Sequence, residues 1–254
     1  MDFLINTFNT VLYQPLFNAL ILLYLYIPGH DFGIAVILLT IIIKLILYPL
    51  ASKGIKSQKA LSALQPKIKE IQEKYKDDKE KQSREMMEFY KREKINPFSG
   101  CLPLLIQMPI LIALFRLFWN GFGPEKMGFL YSFVPNPGAI DTTFLGIMNL
   151  AEPSIILALI TGVAQFFQTK MVTPKSKKSS KDGPDFSQVM QKQMLYFFPV
   201  FTVFILWRMP SAIALYWLTT TAFTIAQQYI ILKKNAPLET STTGHKAINK
   251  DKVG

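Results

Sequence analysis

The stretch FGIAVILLTIIIKLILYPL at residues 32–50 decides the fold. Lys44 is its only charged residue, and about 20 mostly apolar residues are what a helix needs to cross a hydrocarbon core of about 30 Å. Four further runs of the same kind lie at 98–119, 150–169, 194–207 and 212–232. The sequence therefore predicts an all-α, polytopic membrane protein with a five-helix transmembrane core.

The composition of the 254 residues agrees with this prediction. Half of the residues are hydrophobic, and 28 Lys and Arg against 17 Asp and Glu give a formal net charge of +11. Cys101 is the only cysteine, which excludes a disulfide framework and a thiolate metal cluster, and two histidines are too few for a His-based site. The sequence also lacks a Gly-rich phosphate loop. We therefore expect neither a metal ion nor a cofactor.

The charges of the connecting segments predict the orientation, because Lys and Arg are retained on the cytoplasmic side. Residues 51–97 carry 13 basic and 8 acidic side chains, and the segments 170–193 and 233–254 are also basic. We expect these three segments in the cytoplasm, the last as a disordered tail. The poorly charged segments 120–149 and 208–211 then form an external loop and an external turn. This arrangement leaves the N-terminus outside and the C-terminus in the cytoplasm.

Residues 1–31 are open to two interpretations, since most of this segment is apolar enough to span the membrane. Asn6, Thr10, Gln14 and Asn18 recur every four positions and form one polar stripe on a helix. This stripe favours an amphipathic helix that lies at the outer membrane interface. A sixth span is the alternative.

The cytoplasmic segment 51–97 predicts a helical hairpin. Its apolar residues follow the 3-4-3-4 spacing of a coiled-coil seam before and after a polar break. Asp77 and Asp78 lie in the break, supply turn and capping residues, and mark the hairpin tip. Two interpretations stay open, a solvated spacer or a mobile arm that meets an incoming chain or a ribosome. The predicted seam consists of Leu61, Leu64, Ile68, Ile71, Tyr75, Met86 or Met87, Tyr90 and Lys94.

Lys44 is the most informative residue, because a lysine inside a span costs about 3 kcal/mol at the bilayer centre. It lies about six residues from the cytoplasmic end of its predicted span, at a depth of roughly 9 Å. One interpretation is that its side chain reaches the headgroups from that depth. The other is that it lies in water inside a polar cavity, since no acidic residue stands at a matching depth in any predicted span.

Other predicted spans place polar residues at a depth similar to that of Lys44. These residues share one face of the third span and one face of the fifth, and the stripes do not extend into the outer half. A polar groove that is open to the cytosol and closed toward the outside explains this clustering. Hydrogen bonding between packed helices is the alternative. The candidate groove residues are Lys44, Gln107, Thr161, Gln165, Trp217, Thr220, Thr224 and Gln228.

Five stretches of the chain, in their order, resemble the YidC family of membrane protein insertases. The most specific is NPFSGCLPLLIQMPILIALF at 96–115, which resembles the second core span of that family. The resemblance covers nearly the whole chain. The other stretches are QPLF at 14–17, LQPKI at 64–68, DDKEKQSREMMEFYK at 77–91 and MPSAIALYWLTTTAFTIAQQ at 209–228.

The resemblance implies a five-helix core around a hydrophilic groove that reaches only the inner leaflet. In that family a cationic residue of the first core helix attracts acidic substrate segments. Lys44 stands at the matching position, where bacterial members usually have an arginine, so the charge is kept and the guanidinium fork is lost. Gln107 matches the groove glutamine of the second span, and Tyr216 with Trp217 matches an aromatic pair of the last span. The large external domain of many members has no counterpart here, so the chain resembles the short forms.

The predicted function is therefore insertion of newly made proteins from the cytosol into the bacterial plasma (inner) membrane, without nucleotide hydrolysis or enzymatic activity. A role as a folding chaperone for membrane proteins stays open. The expected partners are nascent membrane proteins and anionic lipids. A ribosome and a Sec-type translocon are open as further partners, and ribosomal RNA is the only nucleic acid considered.

Two other classes of protein also place polar residues inside spans. A transporter or channel needs a polar path through both leaflets and commonly shows repeated halves, neither of which is visible in the sequence. An intramembrane protease needs a catalytic pair within the spans, yet both His30 and His245 lie outside them. These classes are the less favoured alternatives.

Overall fold

The computed structural model describes residues 2–96, 102–173 and 192–234. Cys101, most of the predicted loop 170–193 and nearly all of the predicted tail 233–254 lie outside these residues.

The described chain is mostly helical with almost no sheet, which confirms the predicted all-α class. A 3-10 helix (Pro124–Phe129) and a short antiparallel hairpin of β1 (Thr143–Phe144) and β2 (Met148–Asn149) lie within the segment 120–149. The helices are α1 (Asp2–Phe8), which continues through a π-helical stretch (Asn9–Tyr13) into α2 (Gln14–Tyr26), then α3 (Phe32–Ile46), α4 (Tyr48–Lys74), α5 (Lys79–Arg92), α6 (Leu102–Asn120), α7 (Ile155–Val172), a second π-helical stretch (Gln193–Phe197) that leads into α8 (Phe198–Leu206), and α9 (Ser211–Lys234).

Helix α9 organises the bundle, because it packs along α7 and α3 and also contacts α4, α6 and α8. Helix α7 packs in addition against α8. Gly162 permits this close approach, since a Cβ at that position would lie 2.4 Å from Cγ2 of Val203. We call the end of the bundle next to α4 the hairpin end, and the end next to residues 120–154 the loop end.

Two described helices are long and apolar enough to cross a membrane by length and composition, Phe3–Tyr26 and Ile155–Val172. The bent pair of α3 and α4 makes a third candidate, while Leu105–Asn120 and Gln193–Leu206 are apolar but shorter. Helix α9 is 24 residues long, but its threonines and glutamines lower its mean hydropathy. A span that lines a polar interior is less apolar than one surrounded by lipid.

The apolar run 32–50 is divided between two helices. Helix α3 ends at Ile46, α4 begins at Tyr48, and their axes form an angle of 68°. Pro49 lies in the first turn of α4, the part of a helix that tolerates a missing amide. The helix that carries Lys44 is therefore shorter than the predicted span, because the chain turns before Leu50.

Helices α4 and α5 form a hairpin with a short turn. Asp78 is the N-cap of α5, and its carboxylate accepts a hydrogen bond from the amide of Lys81 (2.9 Å). Asp77 lies in the turn and is exposed. Pro66 lies inside α4 without ending it.

One buried apolar residue of the hairpin lies outside the predicted seam. Ile68 of α4 and Phe89 of α5 are both buried, and the seam contained Ile68 but not Phe89. The predicted seam continued through Met86 or Met87 instead, and Met87 is half-exposed. Burial raises the pKa of Tyr90, the neighbour of Phe89, above its ordinary value.

The N-terminal helix packs along the segment 120–149. Asn18 is 2% exposed, its Nδ2 donates to the carbonyl of Phe129 (2.9 Å), and its Oδ1 accepts from the amide of Tyr131 (2.7 Å). Gln14 Nε2 also donates to the carbonyl of Phe129 (3.1 Å). Half of the predicted polar stripe therefore faces protein backbone and does not form a surface for water and headgroups.

Contacts on either side of Asn18 extend this interface between the N-terminal helix and the loop end. Arg116 Nη1 donates to Asn9 Oδ1 (3.0 Å), and the guanidinium lies 5.4 Å from the ring centroid of Tyr13. Further along the helix, the Tyr24 hydroxyl accepts from the amide of Asp141 (3.1 Å). The N-terminal helix is thus joined to the loop end at both ends of its length.

Asp31 joins α3 to the β-hairpin. Its Oδ1 accepts from the amide of Ile34 (2.8 Å) and caps α3, while its Oδ2 accepts from the amide of Leu145 (2.5 Å). Gly33 lies directly beneath the ring of Phe144, since a Cβ at Gly33 would lie 2.1 Å from a ring carbon. The β-hairpin is therefore held against the first turn of α3.

Candidate functional site in the polar interior

Lys44 lies near the end of α3, about one turn before the bend at Leu47. Its side chain is half-buried and makes no hydrogen bond or ion pair with any residue that the structure describes. A half-buried ammonium group without a carboxylate partner needs water or a ligand to compensate its desolvation. The position therefore fits a wet site better than a dry contact between helices.

Helices α6 and α9 bring Gln107 and Tyr216 together. The Gln107 amide donates a hydrogen bond to the Tyr216 hydroxyl, and Tyr216 is almost fully buried. The hydroxyl of Thr220, one turn further along α9, is buried and has no hydrogen-bond partner among the described residues. Trp217 is half-buried and packs against the apolar core. Two residues predicted from separate spans thus form one polar contact.

Two of the candidate threonines satisfy helix carbonyls. Thr161 is fully buried, and its hydroxyl lies 2.7 Å from the carbonyl of Leu157 and 3.3 Å from that of Ala214 across the interface with α9. Thr224 donates to the carbonyl of Thr220 in its own helix (2.8 Å). Thr161 therefore does not line a groove, because its only polar atom is turned into the interface between α7 and α9.

Gln165 of α7 and Gln228 of α9 have buried side-chain oxygens with no hydrogen-bond partner among the described residues. Gln228 as a whole is only 3% exposed. A buried acceptor without a protein partner costs free energy unless water or a ligand supplies the donor. Gln65 and Gln72 of α4 also have such oxygens. Neither was predicted from the sequence, in which α4 was recognisable only as part of a hairpin.

Helix α4 is fastened across the hairpin end of the bundle. Gln227 Nε2 donates to the carbonyl of Tyr48 (3.2 Å) and to the Ser52 hydroxyl (3.0 Å). Ser62 donates to the carbonyl of Val172 at the end of α7 (3.1 Å). Gln227 was not among the residues predicted from the sequence. The neighbouring Gln228 belongs to the predicted stripe, and Gln227, one position away, points about 100° around the helix from it.

The cavity of about 520 Å³ lies at the loop end, away from the predicted groove. It is mostly apolar and contains none of the predicted site residues, so the polar pattern of the spans could not reveal it. Its walls come from the starts of α3 and α9, the end of α6 and the segment 120–151. The lining residues are Phe32, Phe118, Gly121, Phe122, Met127, Asn136, Gly138, Ala139, Ile140, Thr142, Leu150, Ala151 and Ala212.

The fold and the site together define a polytopic membrane protein in which, among the described residues, a cation and several amide oxygens on the hairpin side of the bundle have no partner. The sequence profile of the family described as 60Kd inner membrane protein matches residues 23–238. The chain therefore belongs to this family, and the resemblance found in the sequence is confirmed.

Three relatives bear the name membrane protein insertase YidC. The protein of Fusobacterium nucleatum subsp. nucleatum is 37% identical over 206 residues, which cover 81% of this chain and 88% of that protein. The protein of Endomicrobium trichonymphae is 36% identical over 217 residues, or 85% of this chain and 39% of that protein. The protein of Francisella tularensis subsp. novicida is 36% identical over 203 residues, or 80% of this chain and 33% of that protein.

Proposed function

We propose that this chain is a membrane protein insertase, which passes newly made proteins from the cytosol into the bilayer along a polar groove at the hairpin end. The names of the relatives support the class of function. The observation that supports the groove is Lys44, which is half-buried and has no partner in the described chain.

The groove lowers the cost of moving a polar flank of the substrate through the membrane. Each Leu, Ile, Phe or Val of a substrate span gains about 0.3 to 0.6 kcal/mol in the membrane centre, so a whole span drives its own insertion. The flank has no such gain. Lys44 offers it a positive charge. In this proposal Gln165 and Gln228, whose side-chain oxygens are buried without a partner among the described residues, bond to the flank or to water that accompanies it. The flank then has to cross only the outer leaflet without hydrogen-bonding partners.

The lysine sets a preference for acidic flanks. Two opposite charges 4 Å apart attract by about 4 kcal/mol at an effective dielectric constant of 20. Lysine interacts with a carboxylate as a compact point charge and lacks the bidentate fork of arginine. The attraction therefore depends on distance more than on the orientation of the carboxylate.

The orientation follows from the charges and from the N-terminal helix. The basic hairpin faces the cytoplasm and the loop end faces outward. Residues 9 to 24 of the N-terminal helix, about 22 Å long, are bonded to residues 116 to 141. A spanning helix would have to carry that segment through the membrane, so the N-terminal helix lies on the outer surface although its length and composition also suit a span.

The hairpin is the surface for cytoplasmic partners in this proposal. It is basic and attracts anionic lipid headgroups, and a ribosome with a nascent chain is a second candidate for the same charges. A folding chaperone activity uses the same groove, because a substrate span that has left it is released next to the protein. A Sec-type translocon is a further partner that the proposal admits without requiring it.

The test is insertion by the purified protein in liposomes that contain no other protein. We compare two substrates that differ only in whether the translocated flank is acidic or neutral. Lys44→Ala is expected to lower insertion of the acidic substrate at least about tenfold, which corresponds to about 1.4 kcal/mol. The neutral substrate is expected to lose much less, because it makes no ion pair.

Two variants serve as controls for Lys44→Ala. Lys44→Arg keeps the charge and should restore insertion of the acidic substrate. Lys170→Ala removes an exposed lysine at the end of α7 and should leave both substrates unaffected. An equal loss for acidic and neutral substrates in Lys44→Ala would contradict the charge mechanism, and no insertion by the unaltered protein would contradict the function.

A further inference from the structure

The tip of the β-hairpin carries large apolar side chains in an exposed position. Leu145 is 57% exposed and Ile147 is 83% exposed. Leu145 has a φ of 51° and Gly146 a φ of 67°. Turns with two such residues usually contain Asn, Asp or Gly, and a leucine in the left-handed region is strained. An apolar residue therefore stands where a polar one would be easier to accommodate.

The tip has a defined position relative to the apolar run of α3. Leu145 donates its amide to Asp31, the N-cap of α3. The adjacent Phe144 lies on Gly33 in the first turn of the same helix. Helix α3 enters the hydrocarbon at this turn, because its uncharged apolar sequence begins at Phe32. The exposed side chains of the tip are thus fastened at the level of a membrane boundary.

We propose that the hairpin tip, Leu145 to Ile147, inserts into the lipid at the loop end and anchors the segment 120–149 to the membrane surface. The partner is lipid, because the tip is fastened to the first turn of an apolar helix of a membrane protein while Ile147 itself stays almost fully exposed. Apolar side chains at a bilayer interface are stabilised by leaving water. The assignment to the outer leaflet rests on the orientation given under the proposed function.

We call the contacts of Asp31 with Leu145 and of Gly33 with Phe144 the clasp. The clasp explains why the strained turn is retained. Asp31 uses one carboxylate oxygen to cap α3 and the other to hold the backbone of Leu145. Gly33 provides the space that the ring of Phe144 occupies. Both contacts fix the tip relative to α3, so that its apolar side chains point into lipid and do not collapse onto the protein.

The test uses a fluorescent label whose environment is read with two quenchers. In a Cys101→Ser background, Ile147→Cys is labelled with nitrobenzoxadiazole, and the protein is placed in vesicles of phosphatidylcholine and phosphatidylglycerol. A nitroxide on the lipid chain quenches a label in the bilayer, and iodide quenches a label in water. We expect strong quenching by the nitroxide lipid and weak quenching by iodide.

Two reference positions calibrate this measurement. Ile156→Cys lies on an exposed, apolar part of α7 and reports lipid. Glu125→Cys lies on the exposed surface of the 3-10 helix and reports water. The label at Ile147 is expected to match the first reference to within about twofold in both quenching constants, a spread of about 0.4 kcal/mol.

Two variants test the clasp. Asp31→Asn keeps a side-chain oxygen for the cap of α3 but loses the second acceptor for Leu145, and Gly33→Ala displaces the ring of Phe144. Each should raise iodide quenching at Ile147 severalfold and leave the label at Ile156 unchanged. A change at both positions would indicate general unfolding and would overturn the assignment of the clasp.

The remaining outcomes decide against the anchor. Iodide quenching at Ile147 equal to that at Glu125 would place the tip in water. Shielding from both quenchers would place it in a contact with protein, such as a second copy of the chain. If the label at Ile156 also fails to meet the nitroxide lipid, the membrane placement under the proposed function fails together with the anchor.

Discussion

The two ends of the bundle differ in how completely their polar groups are paired. At the loop end, Asn18 uses both its amide nitrogen and its amide oxygen, and Asp31 uses both carboxylate oxygens. At the hairpin end, Lys44 has no partner in the described chain, and neither do the side-chain oxygens of Gln165 and Gln228. The first arrangement fixes a structure, whereas the second leaves interactions free for something else.

The difference shows which part of the molecule gives up stability for function. Buried polar groups without partners reduce stability, so they persist only where they serve a purpose other than folding. The paired groups of the loop end keep the N-terminal helix, α3 and the β-hairpin in one arrangement. A membrane-embedded scaffold at one end thus supports a polar, incompletely bonded interior at the other.

The largest effect on stability is expected from Asn18→Leu. The substitution leaves the amide of Tyr131 without its partner and the carbonyl of Phe129 with Gln14 alone, and we expect a loss of about 2 kcal/mol in the free energy of unfolding. Unfolding in mixed micelles, followed by tryptophan fluorescence, measures it. Asn6→Leu is the control, because Asn6 is exposed in the same polar stripe. Equal stability of the Asn18 and Asn6 variants would refute the contrast between the two ends.

A smaller effect of opposite sign is expected at the hairpin end. Gln228→Leu removes a buried oxygen without a protein partner and should raise the free energy of unfolding by about 1 kcal/mol, while insertion of an acidic substrate falls. Gln227→Leu is the matched control, because it breaks the bonds to Tyr48 and Ser52 and should lower stability by about 1 kcal/mol. If both variants are destabilised alike, Gln228 is not an unpaired residue.

The smallest effect is expected at Asp141, which is fully exposed. The hydroxyl and then the amide of Thr143 donate to its carboxylate (2.5 and 2.9 Å), and these bonds hold its pKa below the ordinary value of 3.8. The ionised carboxylate therefore stabilises the fold at neutral pH, and this contribution is lost as the pH falls through the lowered pKa. Thr143→Val should move the pKa back toward 3.8 in a titration followed by carbon NMR. An unchanged pKa would show that the hydroxyl bond is not formed.

The parts of the fold that depend on local chemistry could be predicted from the sequence. The apolar runs identified the core helices, and Asp78 was recognisable as a cap because capping involves residues three positions apart. Gln107 and Tyr216 were both recognised through the resemblance to a family. Their hydrogen bond is a contact between residues more than 100 positions apart that periodicity alone cannot supply.

The parts that were missed depend on partners distant in sequence. A polar stripe tells which face of a helix Asn18 occupies, but not that this face meets the backbone of Phe129. The same limit explains why Thr161 was assigned to a groove although it faces α9. Pro49 is a local sequence signal for a new helix start after Leu47. The signal was overlooked because residues 32–50 form an apolar run of the length that one span needs. Hydrophobic pattern identifies faces, whereas tertiary contacts decide what those faces touch.

A tilt of α4 would turn about the bend between α3 and α4. Helix α4 is 27 residues long, or about 40 Å, and Lys44 stands three positions before the pivot. A tilt of α4 by about 10° moves its far end by roughly 7 Å, a distance set by the rise per residue, while the backbone next to the lysine moves only a small fraction of that. The bonds of Ser52 to Gln227 and of Ser62 to Val172 oppose such a tilt, so a force at the hairpin tip acts on α9 and α7 as well as on the backbone beside the lysine.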